Sequence, residues 1–301
     1  DGFIGSYLAR HLMDDEFEVY GTFYSKPLIP SLVEGVHHIK CDIRSRKQVT
    51  TAIRRSDPHY IYHLAARTQT FASWSDPEGT LETNVFGTLN LLEAARRMRD
   101  EARLLIISSS SVYGKTGQMP LSEDSPLGAL TPYAASKIAQ EMLAYSYVNR
   151  YRMNIVVARP FAIIGPGKTG DACSDFARSI VEAKKDRQKE LRVGRLDIVR
   201  DFLDVRDCAR GFAVLASKAQ IGKAYNVCSG RGLSLRAILQ KMIALSSLEP
   251  RIKKDLGKVR AVDEQVLVGD NSRLRELGWR QQIPVSESLR AILDHWRAKS
   301  N

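Results

Sequence analysis

The sequence is poor in cysteine: four in 301 residues, at positions 41, 173, 208 and 228. None forms a C-x-x-C pair, and the spacings of Cys41, Cys173, Cys208 and Cys228 suit neither a zinc site nor a disulfide framework. They are expected to be small buried hydrophobes in a reducing cytosol. No His-rich or carboxylate cluster marks a metal site, so no metal is expected. No apolar run approaches the ~18 residues a membrane span needs, which argues against membrane partners. No signal-peptide pattern opens the chain, and a cytoplasmic location is expected. An initiator methionine is lacking as well: the chain opens Asp1-Gly2-Phe3, and its start is expected to be missing. Aromatic residues are absent from the basic runs, which excludes the usual single-strand nucleic-acid groove.

What is present is ordinary globular composition with a basic balance. Apolar residues make up 44% and charged residues 26%, which excludes wholesale disorder. Lys and Arg exceed Asp and Glu, giving +11, and such a surface attracts anions. The positive charge is scattered, with Arg96, Arg97 and Arg99 in one run and Lys184, Lys185, Arg187 and Lys189 in another. Phosphorylated small molecules suit this pattern better than nucleic acid does, and such runs are usually solvated faces.

Periodicity predicts an α/β chain with a doubly wound parallel sheet. Strands are expected at 18–23, 38–42, 60–64, 103–108 and 154–158. Helices are expected at 5–12, around 49–53, at 80–98 and at 132–151. Past residue 165 the alternation breaks down. Helices are predicted at 174–184, 234–246 and 286–299, with short strands near 191–193 and 224–227. Residues 1–165 thus read as a dinucleotide-binding domain of Rossmann type. Residues 166–301 read as a smaller α/β region for the substrate, with some segments returning to the first domain. The Gly2-x-x-Gly5 pair suits a turn into a helix N-terminus that receives a pyrophosphate. The strand before that turn, and a further glycine, would lie ahead of Asp1. Two glycines at this spacing suit an ordinary helix start equally well.

The strongest internal feature is Ser108-Ser109-Ser110-Ser111 at a strand end, followed by Tyr133-Ala134-Ala135-Ser136-Lys137. Tyr133 and Lys137 are four apart on a predicted helix and share a face. An ammonium there is expected to lower the tyrosine's pKa, and the pair would then move a proton at a carbinol oxygen. A Y-x-x-x-K spacing also arises by chance as a surface pair. The serine-rich strand end shifts the balance, because parallel sheets place their chemistry at strand C-termini.

These motifs together resemble the extended short-chain dehydrogenase/reductase family, in its nucleotide-sugar branch. The resemblance rests on Gly2-Phe3-Ile4-Gly5, Asp42-Ile43, His63-Leu64-Ala65-Ala66, Asn84-Val85-Phe86-Gly87, Arg159-Pro160-Phe161, Arg200-Asp201-Phe202-Leu203-Asp204-Val205-Arg206-Asp207 and Asp270-Asn271-Ser272-Arg273-Leu274. It spans nearly the whole chain. It implies a Rossmann-like fold and a catalytic triad of Ser109, Tyr133 and Lys137. It also implies cofactor contacts from Gly2, Phe3, Ile4, Gly5, Asp42, Ile43, Leu64, Ala65, Ala66, Asn84, Ser108, Tyr133, Lys137 and Pro160. Arg200 is implied at the substrate diphosphate. Asp175, Phe176, Arg178, Arg260 and Asp263 are candidates for the nucleotide pocket, and Ser111 is a possible second contact to the sugar.

Within the branch, Ser73-Trp74-Ser75-Asp76-Pro77 and Ser174-Asp175-Phe176-Ala177-Arg178 resemble reductases acting on the C4 ketone of a GDP-linked 4-keto-6-deoxy sugar. Related dehydratases carry an acidic pair where Ser110 and Ser111 stand here. Serine hydroxyls are poor acids and bases near neutral pH, which argues against dehydration. The reductases usually carry Asn-His where Ala162 and Ile163 stand, so that polar contact is absent. After the strand at 18–23 comes no carboxylate for a ribose. Ser25 and Lys26 suit a 2′-phosphate instead, so NADP(H) is preferred and NAD(H) is the second possibility. Two other readings stand beside the reductase: a nucleotide-sugar 4-epimerase with tightly held NAD, and a non-catalytic dinucleotide-binding protein on the same fold. A homodimer through the helices at 80–98 and 132–151 is implied by the resemblance.

Overall fold

Strand and helix alternate through the first half of the chain. The order is α1 (Phe3–Asp14), β1 (Tyr20–Phe23), β2 (His37–Lys40), α2 (Arg46–Ser56), β3 (Tyr60–His63), α3 (Ala72–Ser75), α4 (Pro77–Leu81), α5 (Gly87–Met98), β4 (Arg103–Ile107), α6 (Pro132–Tyr151) and β5 (Ile155–Pro160). Beyond it come β6 (Ala162–Ile164), α7 (Ala172–Lys185), β7 (Glu190–Val193), β8 (Val199–Asp204), α8 (Val205–Lys218), β9 (Ala224–Val227), β10 (Gly232–Ser234), α9 (Leu235–Ser246), β11 (Arg251–Lys254), β12 (Val266–Leu267), α10 (Ser272–Glu276) and α11 (Val285–Ser300). This computed structural model describes residues 2–25, 34–98, 101–115, 117–185, 190–255, 257 and 265–300.

The main sheet runs β3-β4-β5-β9, all parallel, with Ile106 opposite Val157 and Ala158 opposite Tyr225. Its central strands are near-continuous apolar runs because both faces are covered. Alternate residues divide between the two faces. Leu105, Ile107, Val156 and Ala158 join a core with α1 and α8. Leu104, Ile106, Ile155 and Val157 join another with Leu92 of α5 and Ala144 of α6. This is a Rossmann-like α/β fold. β1 and β2 form a separate parallel ladder, and among the described residues no ladder joins β1 to β3.

The rest of the chain builds a second layer. β8 pairs with β10, β12 and β6, and β7 pairs with β11. Helices α7, α9 and α11 enclose a core that includes Phe176, Ile238, Met242, Leu289 and Ile292. Among the described residues, no helix is long and apolar enough to cross a membrane.

α6 has the bounds its sequence predicts. Thr131 caps it by accepting from the Ala134 amide at 3.1 Å, Pro132 stands in the first turn, and Arg152 ends it in the left-handed region at φ 58°. The single helix expected over 80–98 is instead α4, a π turn over Glu82–Phe86, and α5. π turns inside helices gather at functional places. Here the turn carries Asn84, wholly buried, whose amide clasps the Arg67 backbone at 2.8 and 3.1 Å and donates to Ser136 Oγ at 2.9 Å. That clasp fixes the loop leaving β3.

Candidate active site

β4 ends where α6 begins to cover it, and the two meet at four side chains. Ser109 has extended backbone and caps the short turn Ser110–Tyr113. Its Oγ accepts from the Ser111 amide and donates to the Ser111 hydroxyl, both at 3.2 Å. Tyr133 lies in the first turn of α6, close enough to Ser109 for the serine to favour its phenolate. One turn on, the Lys137 Nζ donates to the Ile107 carbonyl at 2.7 Å and to Gln140 Oε1 at 2.9 Å, and lies 6.0 Å from the Tyr133 ring centre. The structure therefore brings Ser109, Ser111, Tyr133 and Lys137 together. Ser109 and Ser111 are half-buried; Tyr133 and Lys137 are 6% and 3% exposed.

The expected lowering of the Tyr133 pKa is not found. Burial pushes the phenol up, and nearby Ser109 only partly offsets this. The reason lies in Lys137, which burial brings down to about 7 although Glu141 beside it favours the charged form. An amine that is only partly charged, 6.0 Å from the ring centre, does not outweigh desolvation of the phenolate. Tyr133 therefore holds its proton at neutral pH.

Behind the site stands a closed polar network. Ser108 donates its hydroxyl to Glu141, and Glu141 takes a two-pronged ion pair from Arg159 at 2.7 and 3.0 Å, with both partners buried. Arg159 also donates to Tyr113 Oη and to the Glu123 carbonyl, and Tyr113 donates to Asn226 Oδ1 at 2.6 Å. A buried pair with its remaining lone pairs satisfied fixes geometry, and this one locks the β4 end to α6 and β5.

The N-terminus of α1 offers a second feature. Gly2 caps it without any side-chain hydrogen bond, no acidic residue stands in the first turn, and a Cβ built on Gly2 or Gly5 meets nothing within 4 Å. Free amides and open space beside them suit a pyrophosphate, so these residues fit a dinucleotide. Phe3 and Ile4 pack partly into the core below, and Tyr7 Oη donates to the Pro166 carbonyl at 2.9 Å, holding the helix start against the loop after β6.

The sequence pattern of the family described as GDP-mannose 4,6 dehydratase matches residues 1–292. The chain belongs to that family. It is 35% identical to the GDP-6-deoxy-D-mannose reductase of Pseudomonas aeruginosa over 80% of this chain and 81% of the other. The solved structure of RMD from Pseudomonas aeruginosa complexed with NADPH superposes with a TM-score of 0.85 at 31% identity, covering 99% of this chain and 96% of that one. UDP-glucose 4-epimerase of Thermus thermophilus, in complex with NAD, gives 0.88 at 26% identity over 98% and 96%. This member of the GDP-mannose 4,6 dehydratase family is thus an enzyme of the nucleotide-sugar reductase and epimerase type.

In this family member the other expected contacts are spread around the two features. Leu64 and Ala66 are half-buried and Ala65 exposed on the loop that Asn84 holds; Pro160 is buried at the end of β5. Asp42, held low by Arg44, receives the Arg44 backbone amide and guanidinium at 2.8 to 3.2 Å. Arg44 also reaches Tyr24 Oη at 2.9 Å. Ile43 lies against Gly87 of α5, and Ser25 is exposed just past β1. Asp175 and Arg178 are exposed on α7 and face each other at 3.6 Å. Phe176 points the other way, into the core with Ile238 and Met242, so its ring packs the second layer instead of lining an open pocket. Arg200 is half-buried on β8, its Nη1 donating to the Val199 carbonyl. Lys26, Arg260 and Asp263 lie outside the described residues.

Sequence reasoning missed the work of the acidic residues in 200–207. Asp201 accepts from the Ser229, Gly230 and Gly269 amides. Asp204 caps α8 and takes the Ser288 hydroxyl, and Asp207 takes the Gln282 and Ile283 amides. These three carboxylates bind backbone and anchor the loops at 229–230, 269 and 282–283. Asp204 followed by Val205-Arg206-Asp207 was a legible helix-start signal.

Proposed function

We propose that this enzyme reduces the C4 ketone of a GDP-linked 4-keto-6-deoxy sugar with NADP(H), turning GDP-4-keto-6-deoxy-D-mannose into GDP-6-deoxy-D-mannose. The observation that carries this reading is the buried Tyr133 phenol gathered with Ser109, with Lys137 Nζ 6.0 Å from its ring centre and no carboxylate at Ser110 or Ser111. A reductase needs a proton donor at the ketone oxygen, and a neutral phenol is one. A dehydratase needs a base and an acid at the neighbouring carbons, and serines supply neither.

A bound nicotinamide supplies the hydride. Ser109 holds the ketone oxygen, with Ser111 as a second contact. Tyr133 gives its proton to the oxygen as negative charge grows there, and donors fixed in advance at that charge are where rate is gained. Lys137, partly charged near neutral pH, stands over the phenol ring and donates to a ribose hydroxyl. The free amides of Gly2 to Gly5 receive the pyrophosphate, with Leu64, Ala65, Ala66 and Pro160 lining its course. Asp42 and Ile43 lie at the adenine, and Ser25 and Lys26 at the 2′-phosphate. Residues 1–165 carry the cofactor and residues 166–301 the sugar nucleotide, with Arg200 at its diphosphate. The likeness to a reductase from Pseudomonas aeruginosa, and to a structure complexed with NADPH, supports this reading. Exposed Leu81, Phe86 and Met142 on the helices at 77–98 and 132–151 support pairing of two copies there.

The test follows nicotinamide absorbance while NADPH and GDP-4-keto-6-deoxy-D-mannose are mixed with the enzyme. Substrate-dependent oxidation of NADPH is expected. No oxidation, together with interconversion of sugar nucleotides by protein that carries NAD from purification, would replace the reductase by a 4-epimerase.

A further inference from the structure

Gln140 takes no part in the chemistry just described, yet it is wholly buried and touches the amine that does. A buried amide can turn its oxygen or its nitrogen toward a neighbour, and here the surroundings leave one choice. The Thr88 hydroxyl donates to the Asn84 carbonyl at 2.6 Å. Its oxygen then has only acceptor capacity left. It receives Gln140 Nε2 at 2.8 Å and His63 Nε2 at 2.8 Å. His63 must therefore carry its proton on Nε2. Burial and the nearby Lys137 hold its pKa down to about 3, so it stays neutral. With its nitrogen committed to Thr88, Gln140 presents its oxygen to Lys137.

We propose that Gln140 is a positioning residue that fixes both the aim and the protonation of Lys137, its own orientation being set by Thr88 and His63. This rests on the reading of Lys137 as the amine of the reductase site. Two carbonyl oxygens, from Ile107 and Gln140, hold two of the three N–H bonds of the ammonium. The third is left to point at a ligand. Acceptors of this kind stabilise the charged form against burial. The titratable groups around the amine are Tyr133 and Glu141 on α6, His63 on β3 and, beyond Glu141, Arg159 on β5 with Tyr113 behind it. The π turn contributes the neutral Asn84 and α5 the neutral Thr88. None of these replaces the Gln140 oxygen at Nζ.

The experiment is an NMR titration of the full chain carrying 13Cε-lysine, with the Lys137 signal identified by its loss in Lys137→Met. The wild type is expected to titrate near pH 7. Gln140→Met should move the midpoint down by roughly half a unit to one unit, and Gln140→Glu should move it up by about one unit or more, since an opposite charge favours the ammonium. Thr88→Val, which frees the Gln140 amide to turn, should shift it the same way as Gln140→Met but less. A purely structural role would not move two variants in opposite directions. Midpoints that stay within about 0.2 units of the wild type in both Gln140 variants, less than half of the smallest shift expected, overturn the proposal. Because this readout needs no sugar, a wild type that fails to oxidise NADPH sinks the proposed function and leaves the titration result standing.

Discussion

The two parts of the Rossmann sheet are built differently. The β3-β4-β5-β9 part is held by hydrogen bonds along every strand pair and by the polar network of Ser108, Glu141, Arg159, Tyr113 and Asn226 behind its C-terminal edge. The β1-β2 part is a four-residue parallel ladder. It is held by packing: Ile39 of the second strand and Cys41 just past it lie against Val49 and Ile53 of α2 and Leu91 and Ala94 of α5. That packing adds to the ladder's own hydrogen bonds. The proton-transfer groups thus sit on the part backed by the polar network, and the proposed adenosine end of the cofactor on the part packed against α2 and α5.

The largest effect should come from the first part. Tyr133→Phe removes one hydroxyl and should cut kcat by about 10³-fold or more, at the upper end of what general acid catalysis supplies. NADPH affinity, read by fluorescence titration, should stay within a few-fold. A variant with near-normal kcat would remove Tyr133 as the donor. Next comes the network. Arg159→Met leaves Glu141 buried and unpaired and should cost about 3–5 kcal/mol in urea unfolding. Arg159→Met with Glu141→Leu should recover most of that. Equal losses in the single and double variants would mean that the pair's charge is not what matters.

Much of this contrast was legible beforehand, for identifiable reasons. The helix expected at 132–151 has the bounds of α6, and the serine-rich strand end with Tyr133 and Lys137 predicted the cluster. Burial was not legible. The Tyr133 pKa was expected to fall and instead rises, because sequence shows a lysine four residues away but not how little water reaches either group. The π turn was hidden because Leu81, Val85, Leu89 and Leu92 keep an acceptable helical period across it. Phe176 is a pocket candidate through the resemblance carried by 174–178, and the packing of α7 on α9 shows that its ring faces the core. Strand β8 and helix α8 went unread because 200–207 was taken as a ligand motif. Its carboxylates turn out to serve buried backbone amides. A cavity of about 320 Å³ between α1, β3 and α8 is lined by none of Ser109, Tyr133 or Lys137.

A third prediction uses the buried amine. The folded-state pKa of Lys137 is depressed from its ordinary 10.5 to about 7. Between those values the unfolded chain binds a proton that the folded chain does not, so this group makes stability rise as pH rises through that window. At pH 7 and below its cost to folding is fully present. Lys137→Met has no such proton. Its gain in Tm over the wild type should therefore be largest near pH 6.5 and should shrink steadily toward pH 9.5, about a unit below the ordinary value. A Tm difference that does not change with pH would mean that Lys137 titrates normally and that the site is wetter than its burial implies.

The smallest effect belongs to the β1-β2 ladder and sharpens the comparison most. Ile39→Val deletes one methylene from the cluster that carries the ladder, a change of about 0.5–1.5 kcal/mol where packing is close. If the ladder were integral with the main sheet, that loss would appear as global stability and leave catalysis alone. If it is held only through α2 and α5, the loss falls on local opening. Amide exchange at residues 37–40 should then accelerate several-fold while exchange along β4 and β5 stays as it was. The cofactor KM should rise by a similar factor with kcat at saturation unchanged, since binding at the adenosine end contributes equally before and during hydride transfer. Exchange that accelerates alike in β2 and β5 would show one cooperative sheet, and the division drawn between the two parts would have no energetic meaning.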